Sequence, residues 1–246
     1  MRRVFLFAAA LSCVIVVTAR AGGLIAGVHA GSSIPDLRDN GGGDLSSGYS
    51  SRVAPFFGAF AEKSYTPAFS LRAEVNYAAQ GGKREGMQPL QDASQFGAPP
   101  GTTLYANFKT VAKLDYLEIP VLARYHFGGL PGLFVNGGPY AGFLLSTKTE
   151  TSGSSEVYLD PQGQMPANPG TSYSFDATTD NKSDLNTFNW GVQAGAGYTH
   201  PVGTGTASLE VRGGLGLMNI QKDSANGKNS TGVLVIAAGY GWAVGK

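Results

Sequence analysis

The chain reads as an all-β protein: an eight-stranded antiparallel up-and-down transmembrane β-barrel with short periplasmic turns and long external loops. Three observations predict it. Five segments alternate apolar and polar residues with period two, the signature of strands with one face in an apolar medium. The connections between strands alternate between short and long, as they do in bacterial outer-membrane barrels. Composition agrees: 36 of 246 residues are Gly, charged residues are 14% and aromatics 11%. That glycine content is roughly twice the usual ~7%, without the G-X-Y period of collagen and with too many apolar residues for a disordered chain.

The first element is a targeting signal over residues 1–21, leaving 22–246 as the barrel domain. Met1-Arg2-Arg3 is basic, Val4 to Thr18 is an apolar run of 15 residues, and Ala19-Arg20-Ala21 is a small-residue cleavage pattern. Removing it leaves 15 basic against 17 acidic residues. The lone Cys13 goes with the signal, so disulfides, Cys-held zinc and a Cys nucleophile are excluded from the mature chain. No later stretch reaches 18 apolar residues, so insertion in a membrane has to be by closed barrel. The near-zero charge gives no footing for nucleic acid.

Strands follow in order: 23–31, 52–63, 68–80, 110–127, 132–148, 186–200, 204–219 and 231–244. In the third, Phe69, Leu71, Ala73, Val75 and Tyr77 alternate with Ser70, Arg72, Glu74 and Asn76. In the fourth, Leu117, Ile119, Val121, Ala123, Tyr125 and Phe127 alternate with Glu118, Leu122, Arg124 and His126. Segments 188–199, 207–218 and 234–244 repeat the pattern. The first, second and fifth strands are less regular, and bulges are expected at Pro55 and Pro139, since proline cannot donate to a ladder. Long connections are expected at 32–51, 81–109, 149–185 and 220–230. The soluble counterpart is an exported β-sandwich that binds a ligand; its loops need not alternate in length.

The charges sort onto one face. Arg72, Glu74, Glu118, Arg124, Glu210 and Arg212 all lie opposite the apolar side chains, three of each sign. An eight-strand barrel has an interior just wide enough to be filled by side chains. Enclosed ions must be paired, so the three arginines are expected inside, against Glu74, Glu118 or Glu210. A barrel so filled has no wide pore. Among the aromatics, Tyr125, Phe127, Tyr198, Tyr240 and Trp242 are expected at the periplasmic rim. Phe188 and Trp190 are expected at the outer rim, as interfacial girdles.

Chemistry is sparse. His29, His126 and His200 lack metal-ligand spacing, and neither H-E-x-x-H nor G-x-S-x-G occurs. Asp176, Asp180 and Asp184 recur every fourth residue, without an EF-hand pattern. No catalytic residue, metal or cofactor is expected, and the chain reads as a non-enzyme.

The segment Tyr116-Leu117-Glu118-Ile119-Pro120, with Leu71 to Lys83 before it and Leu133 to Ser146 after it, resembles the porin-like outer-membrane β-barrel family. That family includes the PorT-type proteins of Bacteroidetes. The resemblance implies an eight-stranded barrel in the bacterial outer membrane. It also implies a structural or loop-mediated binding role, or that of an accessory part of a secretion or assembly system. The expected partners are outer-membrane lipid and lipopolysaccharide, the outer-membrane assembly machinery, and an envelope protein meeting loops 81–109 and 149–185.

Overall fold

The computed structural model describes residues 23–41, 47–90, 92–128, 131–223 and 228–244. Residues 1–21, read above as the signal, lie outside the described residues. Among those described, eight long strands form a closed antiparallel ring: β1 Leu24–Asp39, β2 Ala54–Ser64, β3 Phe69–Pro89, β4 Tyr105–His126, β5 Leu133–Ser152, β6 Phe188–Val202, β7 Gly205–Gly216 and β8 Asn229–Val244. Each pairs with its neighbours in sequence, and β1 closes on β8 from Leu24↔Val244 to Asp39↔Asn229. Closure leaves no free edge within the bilayer, where an unpaired backbone group has no water to meet.

The period-two pattern explains the two surfaces. In β3 the outward residues Phe69, Leu71 and Val75 are exposed, while Ser70, Arg72, Glu74 and Asn76 between them are buried. The outward apolar run from Phe69 to Tyr77 spans nine positions, about what a tilted strand needs to cross the hydrocarbon core. The same holds for Leu117 to Tyr125 of β4. Inward glycines make room for rings from neighbouring strands. A Cβ on Gly197 would stand 2.4 Å from the Phe134 ring, and one on Gly216 2.4 Å from Thr231 Oγ1.

Three expectations need correction. First, the strands are longer than their amphipathic stretches. β1 runs on to Asp39, β3 to Pro89 and β5 to Ser152, and β4 begins at Tyr105. The loops predicted at 32–51, 81–109 and 149–185 are accordingly shorter. The extra length lacks an apolar outward face, because it stands beyond the lipid. There the outward side carries ion pairs instead, Lys113–Glu150 at 2.5 Å and Lys109–Glu85 at 3.1 Å.

Second, Pro55 and Pro139 make no bulge. Pro55 pairs with Ser32 and Pro139 with Val192 in unbroken register. The β4–β5 ladder skips Val121 and Leu122 opposite Gly138 and Pro139, then resumes in the same register. The bulge is elsewhere: Asp115 pairs with Ser146 but Tyr116 with Leu144, so Leu145 is the extra residue. A bulge reverses the phase of a strand. Below it the buried, inward residues of β5 are Phe134, Asn136, Tyr140 and Leu144; above it they are odd-numbered, beginning with Thr147.

Third, the connection expected at 149–185 contains short strands of its own. Its strand-like pieces Val157–Tyr158 and Ala177–Thr179 extend the barrel wall against β4 and β5, and Ser154–Ser155 pairs with Tyr173–Ser174. Asp160 ties one turn by accepting from the backbone N–H groups of Gln162, Gln164 and Met165. Those donors hold its carboxyl below the usual range.

Candidate functional site

The inward face has three levels, and the first is a charge network. Arg212 places Nη1 and Nη2 at 2.7 and 2.9 Å from the two oxygens of Glu74 and Nε at 2.7 Å from Glu210. Arg124 meets Glu210 at 3.1 Å and Glu62 at 3.0 Å. Arg72 meets Glu74 at 2.7 Å and His29 Nδ1 at 3.0 Å, with its guanidinium over the Phe60 ring. Asn76, Asn136 and Ser70 donate to the remaining carboxylate positions of Glu74, Glu210 and Glu62. Gln193 of β6 accepts from Arg212 at 3.2 Å, so groups from seven of the eight strands take part. Bidentate arginine pairs of this kind are the strong ones, and with ions removed from water they must be complete.

The expected six residues are all buried, with two differences from the reading above. Glu62 belongs to the network and was missed. On β2 the inward residues are Phe56, Gly58, Phe60 and Glu62, while Phe57 points outward. Aromatics on both sides obscure the alternation, so no sequence signal separates Glu62 from a surface acid. Glu118, in contrast, lies apart from the arginines. Among the described residues its oxygens accept from the amides of Gln80 and, at 2.9 Å, Gln193. Among the described residues the barrel interior thus holds four acids and three guanidinium groups, not three of each. His126 is buried 3.4 Å from Glu62, part of the polar interior.

The second level is an apolar layer. Leu37, Leu114, Tyr116, Leu144, Leu185 and Ile220 form a buried cluster, with Tyr49 and Ala112 against it. It lies on the outer side of Glu118. Leu185 and Ile220 come from the external loops, so the loops themselves help cap the barrel.

The third level opens above that cap. A cavity of about 420 Å³ is lined by β3, β4 and β5 where they leave the lipid and by the loops over them. The bulge at Leu145 brings Thr147, Thr149 and Thr151 to its wall, joined by Thr110 of β4 and Thr179. Thr110 donates to Gln88 at 3.0 Å and Thr151 to the Phe175 carbonyl at 2.5 Å. Beyond Thr151 the lining is aromatic. Phe108 and Phe175 stack with centroids 4.8 Å apart, and Phe96 lies 6.1 Å from Phe175 and edge-on to Tyr173. Phe96 is held there by a short 3₁₀ turn, Ala93–Phe96, capped by Asp92 and closed by Gly97 in the left-handed region. The Tyr49 hydroxyl is pushed up by burial and stays neutral. This vestibule was not legible in the sequence, because the phase shift that builds it is a tertiary feature.

The seven aromatics expected at the interfaces stand on the outward surface. Tyr125, Phe127, Tyr198 and Trp242 are exposed near the short turns, and Phe188 and Trp190 are exposed nearer the loops. Tyr240 is half-buried, its hydroxyl donating to the Val202 carbonyl at 3.0 Å. Asp176, Asp180 and Asp184 each accept a local hydrogen bond, from Gly153, Lys182 and Ser183.

A closed eight-strand ring with a lipid-facing apolar belt and an enclosed charge network defines a small outer-membrane β-barrel. Residues 19–222 match the family described as outer membrane protein beta-barrel domain, and the chain belongs to that family. Its place is the bacterial outer membrane. No curated protein matches. Among solved structures, the chain is similar to Ail, the attachment invasion locus protein of Yersinia pestis. The identity is 9%, with 89% of this chain and 98% of that one covered, at a TM-score of 0.38. Neisserial surface protein A is similar at 12% identity, 92% and 100% coverage and 0.35. The outer membrane protease OmpT from Escherichia coli is similar at 10%, 92% and 99%, and 0.33.

Proposed function

We propose that the barrel is an anchor and seal, and that the protein's function is non-catalytic binding at the external vestibule. One observation carries this: the inward face changes from buried ions packed against one another to hydroxyls and rings around an open cavity as it passes the Leu114–Tyr116 layer. The three arginines below are each paired with carboxylates, and a filled eight-strand interior offers large solutes no path. The vestibule above is concave and mixed in character, with polar side chains interleaved among aliphatic and aromatic ones, and its volume lies within the ~300–1,000 Å³ of ordinary small-molecule sites. Export by a signal at 1–21, insertion by the assembly machinery and contact with lipopolysaccharide complete the reading.

The test is a fragment screen by NMR on the barrel in lipid nanodiscs, with methyl-labelled Thr, Leu and Ile. Bound fragments are expected to shift Thr147, Thr149, Leu114 and Ile220 together. Fragments that bind nowhere near these methyls would overturn the reading. An accessory role in a secretion or assembly system, as in PorT-type proteins, predicts instead a stoichiometric envelope partner. That partner would be lost on shortening the 153–187 loop and unaffected by vestibule substitutions.

A further inference from the structure

Three parts of the vestibule lining differ in chemistry. The floor is apolar: Leu37, Leu114, Leu185 and Ile220. Above it runs the threonine row of β5, at every second residue from Thr147 to Thr151, with Thr110 and Gln88 beside it. Beyond Thr151, at the outer end of the same wall, stand the rings of Phe96, Phe108 and Phe175. A threonine hydroxyl has one donor and two acceptor positions, so even Thr110 and Thr151, which donate within the protein, keep acceptor capacity.

Each ligand class makes a different demand. A hydrocarbon needs no hydroxyl row, and covering the half-buried Thr149 with methylenes would leave its hydroxyl without a partner, at a cost. A phosphate or sulfate needs convergent cations. Here Arg84 lines the cavity together with two acids, Asp92 and Asp184. A quaternary ammonium needs ring faces around one point, whereas Phe108 and Phe175 stack on each other with planes 13° apart. An uncharged sugar ring suits all three chemistries. Its C–H face lies on an aromatic edge or face, and its hydroxyls exchange hydrogen bonds with threonine and glutamine.

We propose that the vestibule binds the ring of an uncharged saccharide, as a free sugar or as the terminal unit of a surface glycan. This rests on the binding reading above and narrows it to one ligand chemistry.

The test is calorimetric titration of the full chain in phosphatidylcholine nanodiscs. Cellobiose, lactose and maltose serve as free probes and dextran and laminarin as polymers. Dodecane, choline and sucrose octasulfate serve as the competing classes. At least one neutral saccharide is expected to bind. Its affinity should fall about tenfold in Phe108→Ala, for the lost ring contact. It should fall roughly three- to tenfold in the Thr147→Val/Thr149→Val pair, for the lost hydrogen bonds. Phe108→Leu, which keeps most of the volume, replaces Phe108→Ala if the latter loses its heat-modifiable gel shift. Tighter binding of a polymer than of the disaccharides assigns a surface glycan; the reverse assigns a free sugar; both uphold the proposal. Failure of every neutral saccharide at tens of millimolar overturns it, as does preference for dodecane, choline or the octasulfate. In those cases vestibule shifts in the fragment screen would keep the binding reading standing, while their absence would remove both.

Discussion

At the level of Arg72 and Arg212 the inward face is built from groups that answer one another. At the level of Thr147 and Thr149 it is built from groups that can still answer something else. Strands β3, β4 and β5 run through both levels, with the phase of β5 reversed between them at the Leu145 bulge. The difference lies in solvent. Within the lipid belt an unpaired polar group has no alternative partner, so every carboxylate there is tied to a guanidinium or an amide. Above it water can satisfy the wall, so the wall need not satisfy itself, and a ligand can take the place of that water. On the reading proposed above, stability is concentrated in the lower level and recognition in the upper one.

The largest effect that could break this comparison is at Arg212. Arg212→Ala leaves Glu74 and Glu210 short of their best donor, and should destabilise the barrel by about 3–5 kcal/mol. Urea unfolding in lipid vesicles would measure it, read through Trp190 and Trp242, which both face outward. A loss under about 1 kcal/mol would mean that the interior is hydrated and its pairs dispensable. Next is the lipid belt itself. Val211, exposed on the outward face beside the buried Arg212, should cost about 2–4 kcal/mol as Val211→Arg if it sits near the bilayer midplane. Glu118 sharpens the lower level. Its partners are amides, and an amide can turn to offer its oxygen. Glu118→Gln should therefore change stability by no more than about 1 kcal/mol, unlike a change at any of the three arginines. The smallest effect is expected in the vestibule: Thr149→Val should leave unfolding within about 0.5 kcal/mol of the parent. A large loss there would make the threonine row structural and remove its role in binding.

How much of this was visible beforehand follows from the same division. Where a strand lies between lipid and a packed interior, both sides constrain its residues, and period two is plain. β3, β4, β6 and β7 read directly, and so did their inward charges. Where both sides are inward-like or both watery, the constraint fades. β2 carries Phe56 and Phe60 inward and Phe57 outward, which hid Glu62. The outer halves of β3 and β5 carry Lys, Glu and Thr on either side and read as loop. The bulge at Leu145 left no local mark, because Leu144-Leu145-Ser146 could continue in either phase. The two ribbons that order 153–179 are pairings between short segments that only the finished barrel brings together.

The central claim is that the interior seals the barrel and confines ligand chemistry to its outer mouth. Planar-bilayer recording of the purified, folded protein tests it most directly. The filled, ion-paired interior predicts a baseline without stable nanosiemens steps, before and after the external loops are trimmed. Stable nanosiemens conductance from the untrimmed protein would contradict it.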